Sequence, residues 1–162
     1  MSILINKTIK GLINNNNIIV GKNFNKSQIQ PASLDLTLST RCYRIKASFI
    51  PNNKKISQLI ETLMLSKINL DKENLLEKNC IYLCELNESL KLPISYSAKS
   101  NPKSTTGRLD IFTRLITENG KEYDYVNKGY KGKLYLEIIP QSFSIIVKKG
   151  ISLNQIRFYQ EN

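Results

Sequence analysis

The apolar residues of this 162-residue chain come in short runs, alternating or β-branched, that Gly, Pro and Asn keep interrupting. No other feature narrows the fold as much. Leu34, Leu36 and Leu38 alternate with Asp35 and Thr37, and Leu134, Leu136 and Ile138 alternate with Tyr135 and Glu137. A period of two residues puts each set on one face of a strand. Ile18 to Val20, Cys42 to Ile45, Ile68 to Leu70, Cys80 to Leu86, the stretch around Ile94 to Tyr96, Ile111 to Ile116, Phe143 to Val147 and Gln155 to Tyr159 read as further strands. Helical spacing is confined to two segments. Ile9, Leu12 and Ile13 predict a short helix over Thr8 to Ile13, ended by the Asn14 to Asn17 run, where Asn tolerates left-handed geometry. Ile56, Leu59, Ile60 and Leu63 predict a second over Lys55 to Leu65, and Pro102 is suited to opening a third at its first turn. The pattern predicts a mainly β fold, a barrel or distorted jelly roll, with a short N-terminal helix and one or two further short helices. The strand–helix rhythm of a doubly wound parallel sheet is missing.

A chain of this length suits one domain over residues 1–162 with a substantial core. It has no apolar run long enough for a membrane helix, and Met1 to Lys7 lacks the h-region of a secretory signal. The three cysteines, Cys42, Cys80 and Cys84, are an odd set that points to a reducing cytoplasm. Cys80 and Cys84 flank apolar residues and read as core packing on a strand rather than as a zinc or redox pair. Histidine is absent, which removes His general bases, His triads and His metal ligands. Twenty-four Lys and Arg against thirteen Asp and Glu give a net charge of +11. Such a surface suits nucleic acid, an anionic membrane or a phosphorylated small molecule. The abundance of Lys, Asn and Ile also follows from A/T-rich coding. No basic block, zinc-finger spacing or RNA-binding aromatic motif accompanies the charge, so neither a nucleic acid nor a membrane is expected as partner.

Two segments carry chemistry. Lys103-Ser104-Thr105-Thr106-Gly107-Arg108 offers two cations, three hydroxyls and several backbone N–H groups within six residues. It is either a phosphate cradle or a solvated loop whose hydroxyls cap a helix. The Walker order of Gly, Lys and Ser/Thr is not there. Glu137 stands between Leu136 and Ile138 and shares a strand face with Lys133 and Tyr135. It is either an exposed strand residue paired with Lys133 or, if that face lines a pocket, a carboxylate able to act as general base.

The ordered blocks Ile29-Gln30-Pro31-Ala32-Ser33-Leu34-Asp35, Lys103 to Arg108, Gly129-Tyr130-Lys131-Gly132 followed by Glu137, and Gly150 through Gln155 to Phe158 resemble the motifs of the deoxycytidine triphosphate (dCTP) deaminases. These belong to the dUTPase-like superfamily. Ser97 to Ser104 resembles the N-terminal half of the long, two-domain variety.

The resemblance implies a dUTPase-like β barrel and hydrolytic deamination of dCTP to dUTP and ammonia in pyrimidine deoxynucleotide synthesis, without zinc. It implies a homotrimer with sites between subunits, or pairing with a separate C-terminal half. Glu137 takes the position of the family's general base, and Ser104 and Arg108 those of its water- and phosphate-holding partners. Lys103, Thr105 and Gln155 fall to the phosphate side. Tyr135 and Leu136 fall in the strand whose backbone lines the nucleotide pocket, and Mg²⁺ enters with the triphosphate. Asn127 stands where the family has an acidic residue that meets the deoxyribose hydroxyl, with Asp124 nearby and off register. The chain ends at Asn162, where ordinary members continue into a tail that closes over the phosphates. Two other readings remain beside the deaminase: a dUTP diphosphatase-like hydrolase, and an inactive truncated β domain that acts only in assembly.

Overall fold

The computed structural model describes residues 1–161. The chain runs β1 (Ser2–Ile3), α1 (Asn6–Asn14), β2 (Ile18–Ile19), a 3-10 turn (Lys26–Gln28), β3 (Leu34–Leu36), β4 (Leu38–Ile45), α2 (Ile56–Leu63), β5 (Met64–Asn69), β6 (Asn74–Leu76), β7 (Ile81–Lys91), β8 (Tyr96–Pro102), α3 (Ser104–Arg108), β9 (Ile111–Thr117), β10 (Tyr125–Val126), β11 (Lys131–Pro140), β12 (Ile145–Val147) and β13 (Asn154–Gln160). All strand pairings are antiparallel. One sheet has the order β1-β13-β8-β10 with β3 also on β13; the other has β5-β4-β7-β11-β9 with β2 also on β7; β6 and β12 form a ribbon. No helix among the described residues is long and apolar enough to cross a membrane.

The two sheets close on one core. Leu34, Leu36, Ala98, Ile156 and Phe158 from the first meet Leu38, Cys84, Leu134, Leu136 and Ile138 from the second. The second sheet is covered on its other face as well. Ile45, Phe49, Ile56, Leu83, Ile116 and Tyr135 form a smaller cluster there, under α2 and the segment that leads to it. Period-2 alternation gives β11 its core face, and α2 supplies the cover for the face that carries Tyr135 and Glu137.

Several expectations shift in detail. Of the strand expected around Ile94 to Tyr96, Ile94 and Ser95 form a turn, and β8 starts at Tyr96 and runs into Pro102. Pro102 therefore ends a strand, where its missing N–H is harmless, and α3 opens at Ser104 with Lys103 in extended geometry before it. Cys80 precedes β7, so it shares no strand face with Cys84. Cys84 instead faces Cys42 across β4 and β7, with the two sulfurs 2.6 Å apart. The left-handed Asn expected after α1 is Asn16, at φ 58°.

Candidate active site

The site is built from two ends, one on β11 and one around α3. On β11, Glu137 lies opposite Leu83 of β7 and Arg114 of β9. Packing on both faces of the sheet leaves it 0% exposed. Arg114 donates from Nε at 2.9 Å and from an Nη at 2.7 Å, both to Oε1 of Glu137. Oε2 is buried with no hydrogen-bond partner. The Arg114 guanidinium lies 3.8 Å from the Tyr123 ring centre and 5.0 Å from that of Phe112. Tyr123 is anchored by its hydroxyl, which donates to the Phe49 carbonyl at 3.0 Å. The exposed pairing of Glu137 with Lys133 does not occur, because Lys133 reaches across to Glu85 at 3.0 Å.

Asp124, left-handed at φ 62°, accepts the Leu115 N–H at 2.8 Å. Burial pushes its carboxyl above the ordinary carboxylate range, while that hydrogen bond and Arg114 pull it back and Glu137 adds to the rise. Asp124 thus stands within electrostatic reach of the Arg114–Glu137 pair, and Asn127 is an exposed turn residue whose carbonyl takes the Tyr130 N–H. Tyr135 and Leu136 are both buried, one in each core cluster, and burial also raises the Tyr135 phenol.

At the other end, Ser104, Thr105 and Arg108 are exposed on α3, whose only buried side chain is Thr106. Thr106 Oγ1 donates to the Leu153 carbonyl at 2.6 Å, which ties the helix down. Lys103 Nζ sits 2.9 Å from Asp35 Oδ2, and Asp35 Oδ1 is buried without a partner. Gln155 pairs with Asp35 across β13 and β3. Asp35 and Lys103 line a cavity of about 600 Å³ with Lys22, Lys148, Lys149 and Glu88. Glu88, 2% exposed, takes the Thr37 N–H at 2.8 Å, the Thr37 hydroxyl at 2.7 Å and Gln28 Nε2 at 3.1 Å.

Within one chain the structure brings Lys103, Asp35 and Gln155 together, and separately Glu137, Arg114 and Tyr123. Among the described residues, no hydrogen bond or ion pair links Ser104 or Arg108 to Glu137, and Glu137 does not line the cavity beside Lys103. Sequence reasoning missed Arg114. Its signal was a charged residue inside the apolar run Ile111 to Ile116, but the partner becomes visible only once β9 and β11 are in register.

Two antiparallel sheets around one core, with a short helix between β8 and β9, define the class: a dUTPase-like β protein. A variant of the Staphylococcus bacteriophage 80alpha dUTPase shares this fold, with a TM-score of 0.51 at 10% identity over 90% of this chain and 89% of that one. The chain belongs to the family described as 2'-deoxycytidine 5'-triphosphate deaminase (DCD) N-terminal domain, whose family model matches residues 1–162. It is similar to the 2'-deoxycytidine 5'-triphosphate deaminase of Agrobacterium tumefaciens, with a TM-score of 0.93 and 43% identity over 96% of this chain. The match takes in 47% of the Agrobacterium protein, so this chain spans about half its length. Two curated relatives carry the name dCTP deaminase, dUMP-forming. That of Methanosphaera stadtmanae is 28% identical over 85% of this chain and 68% of the relative. That of Methanocaldococcus jannaschii is 27% identical over 96% of this chain and 81% of the relative.

Proposed function

We propose that this chain deaminates dCTP hydrolytically, giving dUTP and ammonia, with Glu137 as the base that activates water. The observation that carries the reading is the Glu137 carboxylate: fully buried, one oxygen held by Arg114, the other without a partner, in a chain that has no histidine. Oε2 takes a proton from water as the oxygen adds to C4 of cytosine and delivers it to N3, then carries the proton of the new C4 hydroxyl to the 4-amino group, so that the C4–N bond breaks, ammonia leaves and the C4 carbonyl of uracil forms.

The triphosphate goes to the other end, with Lys103 and Arg108 as cations, Ser104 and Thr105 as hydroxyl donors, and Gln155 beside Asp35. The backbone at Tyr135 and Leu136 lines the nucleotide pocket, and Asn127 and Asp124 are the candidates for the deoxyribose hydroxyl. The two ends meet between copies in a homotrimer, or against a separate C-terminal half. Exposed Leu109 and Phe112, flanking the stretch from α3 to Arg114, support a covered surface there. Mg²⁺ fits as an ion brought by the nucleotide: Asp35 Oδ1 is a free buried oxygen next to Lys103, and the phosphates supply the other ligands. The setting is soluble nucleotide metabolism in the cytoplasm.

The test is ammonia release from dCTP with Mg²⁺, alongside calorimetric dCTP binding. Glu137→Gln keeps shape and removes the base, so release falls by roughly a hundredfold or more while binding survives. Equal release from both proteins refutes the role of Glu137. Ion-exchange analysis of the products separates dUTP from dUMP, and sedimentation reads the trimer. No dCTP binding, even with a partner chain present, moves the chain to the inactive assembly domain.

A further inference from the structure

We infer that Arg114 is the positioning residue that decides which oxygen of Glu137 works as the base, an inference that rests on the deaminase reading above. A guanidinium facing a carboxylate ordinarily spreads its two donors over both oxygens. Here both donors converge on Oε1, and Oε2 is left buried and bare. The two residues are directly opposed on β9 and β11, so the backbone ladder fixes their separation. The guanidinium plane is fixed independently, by the Tyr123 ring at 3.8 Å and the Phe112 ring at 5.0 Å. Tyr123 is in turn held by the Phe49 carbonyl. The arrangement thus exists before any nucleotide arrives: one oxygen is occupied and the other is left without a partner.

The other charged groups nearby are committed elsewhere. Lys133 is bound to Glu85, and Asp124 is bound to the Leu115 N–H. Lysine at position 114 would keep a positive charge but lose the two converging donors and the flat face that stacks on Tyr123. A merely structural ion pair needs only the charge. A positioning role needs the fork.

The experiment uses the assembled chain, with kcat and KM for dCTP measured for wild type, Arg114→Ala, Arg114→Lys, Tyr123→Leu and Glu137→Gln. Arg114→Ala is expected to lower kcat by roughly a hundredfold with KM little changed, the size of effect that follows from misplacing a reacting group by about 1 Å. Millimolar guanidinium restores part of that loss in Arg114→Ala and none in Glu137→Gln. Arg114→Lys, which leaves no buried charge uncompensated and therefore folds, loses kcat by roughly tenfold, and Tyr123→Leu by less. Wild-type kcat in Arg114→Lys overturns the inference, as does an Arg114→Ala defect that guanidinium leaves untouched. No ammonia release from wild type overturns the deaminase reading itself and wild-type release from Glu137→Gln overturns Glu137 as its base, whereas an inactive Glu137→Gln beside a fully active Arg114→Lys overturns only the role of Arg114.

Discussion

Lys103 Nζ lies 2.9 Å from Asp35 Oδ2, an ion pair that ties the entrance of α3 to the middle of β3. Lys103 belongs to the proposed phosphate end, and among the described residues it is the cation paired with Asp35, a residue that is 7% exposed. Arg108, on the same short helix, is exposed.

The two cations should therefore separate binding from stability. Arg108→Ala weakens dCTP binding by roughly tenfold and leaves the unfolding midpoint where it is. Lys103→Ala weakens binding to a similar extent and also lowers thermal stability, because Asp35 is left buried without its partner. Calorimetric titration and thermal unfolding of both variants check this. Equal midpoints for the two sink it.

Glu88 makes stability depend on pH. Burial raises its carboxyl above the ordinary carboxylate range, and the hydrogen bonds from Thr37 and Gln28 pull it partly back. A raised folded pKa means that the folded state holds its proton more tightly than the unfolded chain. That contribution is complete below the ordinary carboxylate pKa and is lost as pH rises through the folded value. Urea unfolding from pH 4 to 7 should show this loss in wild type and not in Glu88→Gln. Glu88→Gln should also be less stable by about 1–3 kcal/mol at low pH, since its amide faces three donors and accepts only through one oxygen.

Asp124 combines a left-handed backbone with a side-chain bond to Leu115 N–H. Asp124→Asn keeps both and should cost little stability. Asp124→Ala loses the acceptor and strains the backbone, for a loss of about 1–3 kcal/mol. Similar urea midpoints for the two variants count against this account.

A chelator is expected to leave folding unchanged. Cys42 and Cys84 are buried against one another in the core, and Cys80 receives an Arg44 donor at 3.1 Å. Stoichiometric zinc in purified protein, or a fall in the unfolding midpoint with EDTA, overturns the expectation.

Much of this was legible in the sequence. Alternation in Leu134 to Ile138 marks β11, and the 3-4 spacing from Ile56 to Leu63 marks α2. The sequence could not say that α2 lies over the very face of the sheet that carries Glu137. Its burial is a tertiary fact, and so is the partner Arg114, which is 23 residues away in the chain. Short pairings such as β1, β6 and β10 carry two or three residues each, too few for a period to show. The segment Ser97 to Pro102 is polar and carries no apolar alternation to mark it; its pairing with β13 makes it strand.

The two ends of the site differ in how firmly they are held. Glu137 belongs to a strand packed on both faces and laddered on both edges, whereas α3 is a five-residue helix whose one buried side chain is Thr106. Amide protons of β11 should exchange only with global unfolding, and those of α3 through local opening at far lower free energy. On the proposed reading, part of the affinity for a triphosphate is spent on stiffening α3, so a substrate without phosphates would meet a rigid Glu137 and a still loose helix.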